Sequence, residues 1–341
     1  MPRLLYLLPF LLLACASDEP TEEKATFDRG AMLAHWADNL IVPAYQDFTA
    51  AARALDASVA AYAAAPSATT LTVARGEFET AYLSWQRLSP LMVGPGQELR
   101  LREQINVYPT DTARLLGQAN DDLTLPSNVD VQGFPALDFY LYGTGDPARF
   151  ATELSRLTAR IVELSAAAEA AWTGGYRDTY VASSGNSATA SVDRTVNVWL
   201  EWYERNLRAG KVGIPAGIFG STPLPDRAEA PYHGGLSKAL FLEALDAADD
   251  FFSSDPSLAA YLDALEVRRD GELLSSRIRA QFRTARERAT GLDANFATQV
   301  RTDHTAMLQL YDALQANVVL IKVDMLQALG INVDFVDADG D

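Results

Sequence analysis

The chain has 341 residues, 48% of them hydrophobic, a length and composition that suit one large or about two ordinary globular domains. Its formal net charge of −17 argues against nucleic acid as a partner and against an anionic lipid surface, because like charges repel. The acidity has two interpretations, the solubility of a secreted protein or an affinity for cationic partners and metal ions. A single cysteine excludes an intramolecular disulfide and a cysteine metal cluster.

The chain begins with the pattern of a bacterial lipoprotein. Arg3 precedes an apolar run at residues 4–13, which is too short to span a bilayer. The sequence Leu-Leu-Ala-Cys at residues 12–15 then resembles a lipobox. It predicts that residues 1–14 are a signal peptide and that the mature chain is anchored to a membrane by a lipid on Cys15. An ordinary signal peptide with an incidental cysteine is the alternative.

Residues 15–27 are mostly polar and acidic, which predicts a lipidated tether between the membrane and the folded chain. Ala16, rather than aspartate, follows Cys15, and this favours the outer membrane of the bacterial cell envelope, facing the periplasm or the surface. No later stretch is long and apolar enough to cross a bilayer.

Apolar side chains recur at steps of three and four along residues 28–182, which predicts a bundle of amphipathic helices. Prolines interrupt the pattern at Pro43, Pro66, Pro90 and Pro109, where helices should kink or end. The three clearest apolar stripes are Tyr45, Phe48, Ala52, Leu55, Val59 and Tyr62; Leu71, Ala74, Phe78, Tyr82, Trp85 and Leu88; and Leu154, Leu157, Ile161, Leu164, Ala168 and Trp172.

Residues 183–189 are small and polar and form the best linker candidate in the chain. Helical stripes resume in residues 190–341, and the last of them ends at Gly330, which suits a helix C-terminus. No convincing alternating strand pattern occurs. The sequence therefore predicts an all-α fold of two packed helical bundles. Each half contains an irregular segment rich in glycine and proline, which is compatible with an ancient duplication.

The rest of the chain is arranged around residues 133–143, a short aromatic segment bounded by Gly133 and Gly143. Pro135 suits the first position of a helix, where its missing N–H is not needed. Asp138 lies one turn later and is the only acid in the segment. A carboxylate in such apolar surroundings is either a structural cap or a site residue, and the spacing alone leaves both interpretations open.

This segment resembles the Gly-x-His-x-x-Glu motif of the imelysin family and the aromatic, Leu-rich run that follows it. Other segments resemble the same family in the same order, namely Ile-Val-Pro-Ala-Tyr at 41–45, Trp-Gln-Arg at 85–87, Tyr-Pro-Thr-Asp at 108–111, Lys-Val-Gly-Ile-Pro-Ala-Gly at 211–217 and Asp-Ala-Asp-Gly-Asp at 337–341. The resemblance implies two helical domains that meet at the motif, and a link to iron uptake.

The motif departs from the family pattern at both of its functional positions. Pro135 stands where the family has histidine, and Asp138 stands where it has glutamate. Proline has no ligand or donor atom in its side chain, so a histidine-dependent metal site or general base is not carried over. Asp138 keeps the charge on a side chain that is shorter by one methylene.

If a metal ion is bound, its ligands should be rich in oxygen. Asp138 with Glu229 and a tyrosine is the predicted set, and His233, in the irregular segment of the second half, is the best placed of the three histidines. Such a set favours iron or another hard cation over zinc. The aromatic side chains predicted to line a pocket are Trp85, Tyr108 and Tyr142, with core packing as the alternative for each.

The sequence favours a non-catalytic binding protein whose ligand is a metal ion or a metal-uptake partner protein. It contains no His-Glu-x-x-His motif, no Gly-x-Ser-x-Gly elbow and no phosphate-binding loop. A metallopeptidase, the activity attached to the family's name, and a scaffold with a decayed metal site are the alternatives.

Overall fold

The computed structural model describes residues 27–117 and 122–335. Within these ranges the chain is a packing of helices with a single two-stranded hairpin, so the predicted all-α fold is confirmed. The predicted lipidation site Cys15 and the acidic segment at 337–341 lie outside the described residues. No helix in the described part combines the length and the apolar character that a membrane span requires.

The first half is centred on α2, which packs against both α3 and α8. Its helices are α1 (Arg29–His35), α2 (Val42–Ala64), α3 (Ala68–Leu88), α4 (Pro95–Glu98), α5 (Leu101–Ile105), α6 (Thr112–Gly117), α7 (Gly133–Asp138), α8 (Ala151–Ala171) and α9 (Arg177–Ala182). Segments of π-helix continue three of these helices at Trp36–Ile41, Phe139–Gly143 and Trp172–Tyr176, and 3-10 turns lie at Ser89–Leu91, Pro126–Val131 and Pro147–Phe150.

The second half is centred on α11, α13 and α15, which pack on one another. Its helices are α10 (Ser191–Trp202), α11 (Ser237–Ser253), α12 (Leu258–Ala264), α13 (Leu274–Thr290), α14 (Phe296–Thr302), α15 (His304–Val318) and α16 (Leu326–Leu329). Segments of π-helix lie at Tyr203–Gly213 and Val319–Met325, and a 3-10 turn lies at Pro225–Arg227. Strands β1 (Arg268–Arg269) and β2 (Glu272–Leu273) form the antiparallel hairpin.

The helix ends follow from local chemistry in the sequence. Ser67 and Thr70 form a reciprocal capping box that starts α3, and the Asp28 side chain accepts the Ala31 N–H at the start of α1. Gly330, with φ of +67°, ends α16 in the left-handed conformation that glycine adopts without strain. The predicted apolar stripes, with the exception of Leu71, face the core and are buried.

The two halves share one hydrophobic core. Helix α11 of the second half packs along α3 of the first, and the Trp36 ring lies 4.6 Å from the ring of Phe251. The predicted linker at 183–189 falls between α9 and α10, and the Ser191 N–H closes it by donating to the carbonyl of Ser183 at 3.0 Å. The division of the chain into domains at 28–182 and 190–341 stays a prediction.

Candidate functional site

The motif segment is buried along the whole length of α7. This helix begins at Gly133, so the prediction that Pro135 occupies its first position is wrong by two residues. The proline is tolerated because N–H groups in the first turn have no acceptor within their own helix. Gly133 has φ of +71°, and a Cβ at this position would overlap the backbone of Ile105, so only glycine fits. Stacking of Phe134 on Tyr82, with centroids 4.3 Å apart, holds α7 against α3.

Asp138 connects the two halves of the molecule. Its side chain is fully buried, and its two carboxylate oxygens accept the backbone N–H groups of Tyr232 at 3.0 Å and His233 at 2.9 Å. Burial raises the pKa of Asp138 to about 7, and the charge of Glu229 adds to this, while the two N–H donors oppose it. The geometry therefore supports the structural interpretation of this acid, with the loop at 232–233 as the segment that it holds.

Glu229 lies beside this contact, and we call the region around Asp138 and Glu229 the junction. The Glu229 Oε1 atom accepts hydrogen bonds from Asn106 at 2.7 Å and from Gln86 at 3.1 Å. The Tyr82 hydroxyl also lies 3.1 Å from this atom, but its one proton has a closer acceptor in Asn106 Oδ1 at 2.6 Å. Its Oε2 atom faces the Nζ of Lys211 in a buried ion pair. The carboxylate thus has three protein donors, Asn106, Gln86 and Lys211.

The charge of Glu229 and its burial shift neighbouring groups. Burial lowers the pKa of Lys211, and the Glu229 carboxylate opposes that change. Burial also raises the pKa of Tyr82 well above its usual range, and the negative charge of Glu229 raises it further. Tyr82 therefore keeps its proton at physiological pH and donates it to Asn106, the residue that in turn donates to Glu229.

His233 and Tyr142, which were predicted separately as a ligand and a pocket residue, are in contact. Their ring centroids are 4.7 Å apart, and the His233 Nε2 atom lies 2.9 Å from Glu79 Oε1. The other ring nitrogen of His233 and the Tyr142 hydroxyl are buried and have no partner within the described part of the chain. The Arg75 guanidinium covers the Tyr142 ring at 4.6 Å, so this aromatic pair is closed from one side.

Trp85 and Tyr108 differ in their surroundings. Trp85 is buried, and its ring packs 5.3 Å from that of Phe48, so it is mainly a core residue. Tyr108 is half-buried and faces a cleft of about 250 Å³ between the loop at 106–109 and the segment Tyr203–Gly213. We call this the outer cleft. A smaller inner cavity, which Trp85 and Lys211 line, adjoins it.

Three residues of these two cavities were missed as site residues in the sequence. Lys211 was noticed only within the segment at 211–217, and Asn206 and Arg227 were not singled out. For Lys211 the sequence contained a local indication of burial, because this lysine directly precedes the apolar run Val-Gly-Ile-Pro. Asn206 and Arg227 carry no such signal, because each reaches the cleft from a different segment.

The junction does not fit a bare metal ion as it stands. Within residues 27–117 and 122–335, no three histidine, cysteine, aspartate or glutamate side chains form a group that could hold one. Both oxygens of Asp138 accept amide N–H groups, and Glu229 faces an ammonium group. A cation would have to displace these donors. The ligand roles of Asp138, Glu229 and His233 therefore stay predictions.

The fold defines a class of all-α proteins with two helical halves, which are joined where a short motif segment meets an irregular loop. The family model described as Imelysin matches residues 41–321 of this chain. The chain therefore belongs to the imelysin family, and the resemblance drawn from the sequence is confirmed.

Solved structures agree with this assignment. An imelysin-like protein from Psychrobacter arcticum 273-4 is similar with a TM-score of 0.74 and 20% identity, over 90% of this chain and 97% of that one. An iron-regulated protein A precursor from Parabacteroides distasonis ATCC 8503 is similar with a TM-score of 0.72 and 15% identity, over 91% of this chain and 96% of that one. At these identities the likeness shows the fold alone. No curated protein sequence matches this chain.

Proposed function

We propose that this chain is a binding protein that holds a ligand where its two halves meet and does not transform it. The observation that carries the proposal is the state of the two junction carboxylates. Asp138 accepts hydrogen bonds from two backbone N–H groups, and Glu229 is paired with Lys211 and accepts from Asn106 and Gln86. A general base has to reach water or substrate, and both acids are buried, at 0% exposed for Asp138 and 2% for Glu229. Pro135 in place of the motif histidine supports the same conclusion.

The proposal places the protein at the bacterial cell envelope. A lipid on Cys15 would anchor it to the outer membrane, and residues 15–27 would tether the helical part to that membrane. A capture protein benefits from such an anchor, because the ligand is retained where transport begins. The proposal predicts that Cys15→Ser abolishes labelling by a fatty-acid analogue in cells. Equal labelling of both proteins would contradict the anchor.

Iron uptake is the proposed setting. The family resemblance implies it, and one solved relative is described as an iron-regulated protein A precursor. Because the junction does not fit a bare cation, the cargo would be iron that other groups already coordinate, or a partner protein in metal uptake. The metallopeptidase alternative lacks support, since no base is assembled at the motif. A scaffold with a decayed metal site is the competing proposal, and it is equally compatible with the hydrogen-bonded carboxylates; ligand binding separates the two.

The test uses the full chain extracted in detergent. Calorimetric titration with ferric citrate, Ca²⁺ and Zn²⁺ measures binding, and prolonged incubation with an unfolded protein such as casein measures hydrolysis. We expect ferric citrate to bind and casein to stay intact. Casein cleavage that Asp138→Asn abolishes would contradict the proposal and revive the peptidase. Absence of binding by every probe would favour the scaffold.

A further inference from the structure

The outer cleft joins polar groups from three separate segments. Tyr108 comes from the loop after α5, Asn206 from the segment Tyr203–Gly213, and Arg227 from the turn Pro225–Arg227. Its volume of about 250 Å³ is slightly below the ~300–1,000 Å³ of pockets for drug-sized molecules, which suits a smaller ligand.

These three groups have no hydrogen-bond partner in the part of the chain that the structure describes. The Tyr108 hydroxyl, the Asn206 carboxamide and the Arg227 guanidinium all reach the cleft with donors available. Arg205, which pairs with Glu201 at 2.7 Å, lies at the same cleft. Val107, Pro109 and Ile214 form apolar walls between them. Donors set among apolar walls match an anion that has a carbon skeleton.

Lys211 adds a buried positive group on the inner side. It lines the inner cavity, which shares Asn106, Tyr108 and Asn206 with the outer cleft and has about 10 Å³, roughly the space of one water molecule. Of its three N–H donors, one faces Glu229, its only acceptor among the described residues. Lys211 lines the inner cavity, whereas Glu229 lines neither cavity.

We propose that the outer cleft binds a small organic polycarboxylate, with Arg227 at its mouth, Tyr108 and Asn206 along it, and Lys211 at its inner end through one water molecule. The inference rests on the proposed binding function and names its ligand class. Hydrogen-bond donors at both ends favour more than one carboxylate on the ligand, and the apolar walls favour a carbon chain over inorganic phosphate. Such an anion can arrive alone or as the chelator of a ferric ion.

The test is calorimetric titration of the full chain in detergent with citrate, ferric citrate, acetate and inorganic phosphate. We expect citrate and ferric citrate to bind more tightly than acetate and phosphate. Arg227→Gln should weaken citrate binding by roughly ten-fold or more, since a charge-assisted hydrogen bond is lost. Arg53→Gln, a matched change at an exposed arginine of α2, should leave binding unchanged.

Tyr108→Phe separates binding from folding. It removes only a hydroxyl without a partner in the described structure, so we expect weaker citrate binding at an unchanged unfolding temperature. Unaltered citrate affinity in both Tyr108→Phe and Arg227→Gln would overturn the inference, as would phosphate binding as tight as citrate binding. Binding of Ca²⁺ or Zn²⁺ without any citrate binding would overturn it while leaving the proposed function intact. Casein hydrolysis would instead count against the proposed function.

Discussion

At the scale of single residues, Asp138 shows how a buried acid can join two parts of a chain. Its oxygens replace water as acceptors for two N–H groups that the irregular loop would otherwise leave unpaired. The same burial removes the solvation of the charged form, which is why the pKa rises to about 7 despite those donors. Asp138 thus holds the loop at 232–233 through two hydrogen bonds, and the charge of its side chain depends on pH.

The raised pKa of Asp138 predicts a pH dependence of stability. Between its usual pKa of 3.8 and about 7 the unfolded chain has lost this proton while the folded chain keeps it, so the free energy of unfolding falls as pH rises through that window. The loss is on the order of a few kcal/mol, at ~1.4 kcal/mol per pKa unit. Urea denaturation of the parent and Asp138→Asn from pH 5 to 8 measures it. Asp47→Asn, at an exposed position of α2, is the control, and equal pH slopes for the parent and Asp138→Asn would contradict the prediction.

Gly133 gives a second prediction at this scale. Gly133→Ala should lower the free energy of unfolding by more than ~2 kcal/mol, because it adds a clash with the Ile105 backbone to the strain of a positive φ. Gly145→Ala is the matched control, since Gly145 has φ of +74° with open space around it, and only the ~1 kcal/mol strain applies there. Denaturant melts of both variants provide the comparison. Equal losses would show that close packing at Gly133 is unimportant.

At the scale of elements, the segment Tyr203–Gly213 meets the irregular loop between Arg227 and α11 through the ion pair of Lys211 and Glu229. Lys211 is 3% exposed and Glu229 2%, so neither charge is stable there without the other. The wide π-helical turn brings the lysine to the junction and the neighbouring Asn206 to the cleft. Packing and ligand access are thus coupled in this one element.

Lys211→Met should destabilise the fold by about 3–5 kcal/mol, because it leaves the Glu229 carboxylate buried without its cation. The double variant Lys211→Met with Glu229→Gln should recover part of this loss, since the uncompensated charge is gone. Thermal unfolding of the two variants measures the difference. A double variant less stable than Lys211→Met alone would contradict this account of the pair.

At the scale of the whole molecule, net charge and local charge point in different directions. The formal net charge of −17 was compatible with solubility or with cationic partners, yet the outer cleft is lined by two arginines and adjoins a buried lysine. Net charge sets the long-range field, whereas a cleft selects its ligand through the donors within hydrogen-bond reach. An acidic protein can therefore contain an anion site. Because Lys211 is buried, salt should screen its contribution to anion binding only weakly.

The shared core predicts that the halves associate without a covalent link. Co-expressed fragments 1–185 and 186–341 should co-purify and unfold in one cooperative transition, because α11 packs on α3 and Phe251 on Trp36. Phe251→Asp in the second fragment should abolish association, whereas Leu265→Asp, at an exposed position, should not. Two separate transitions for the wild-type pair would instead indicate independent domains.

Much of the fold could be predicted from the sequence, because helices are specified locally. The stripe from Tyr45 to Tyr62 repeats every three or four residues, and all of its members are buried on one face of α2. The three residues predicted as ligands, Asp138, Glu229 and His233, lie in the same region, while their ligand roles stay predictions. The cleft residues Asn206 and Arg227 escaped prediction because neither has a distinctive sequence context.

The sequence by itself determined the helical class, the family and the acids of the junction, since periodicity and motif order are properties of neighbouring residues. Only the tertiary structure decided what those acids do. The N–H groups that Asp138 accepts lie 94 and 95 residues away, and Lys211 and Glu229 meet only when the chain is packed. Burial, which sets both the pKa of Asp138 and the need of Glu229 for a cation, arises from contacts between distant segments and from no local pattern.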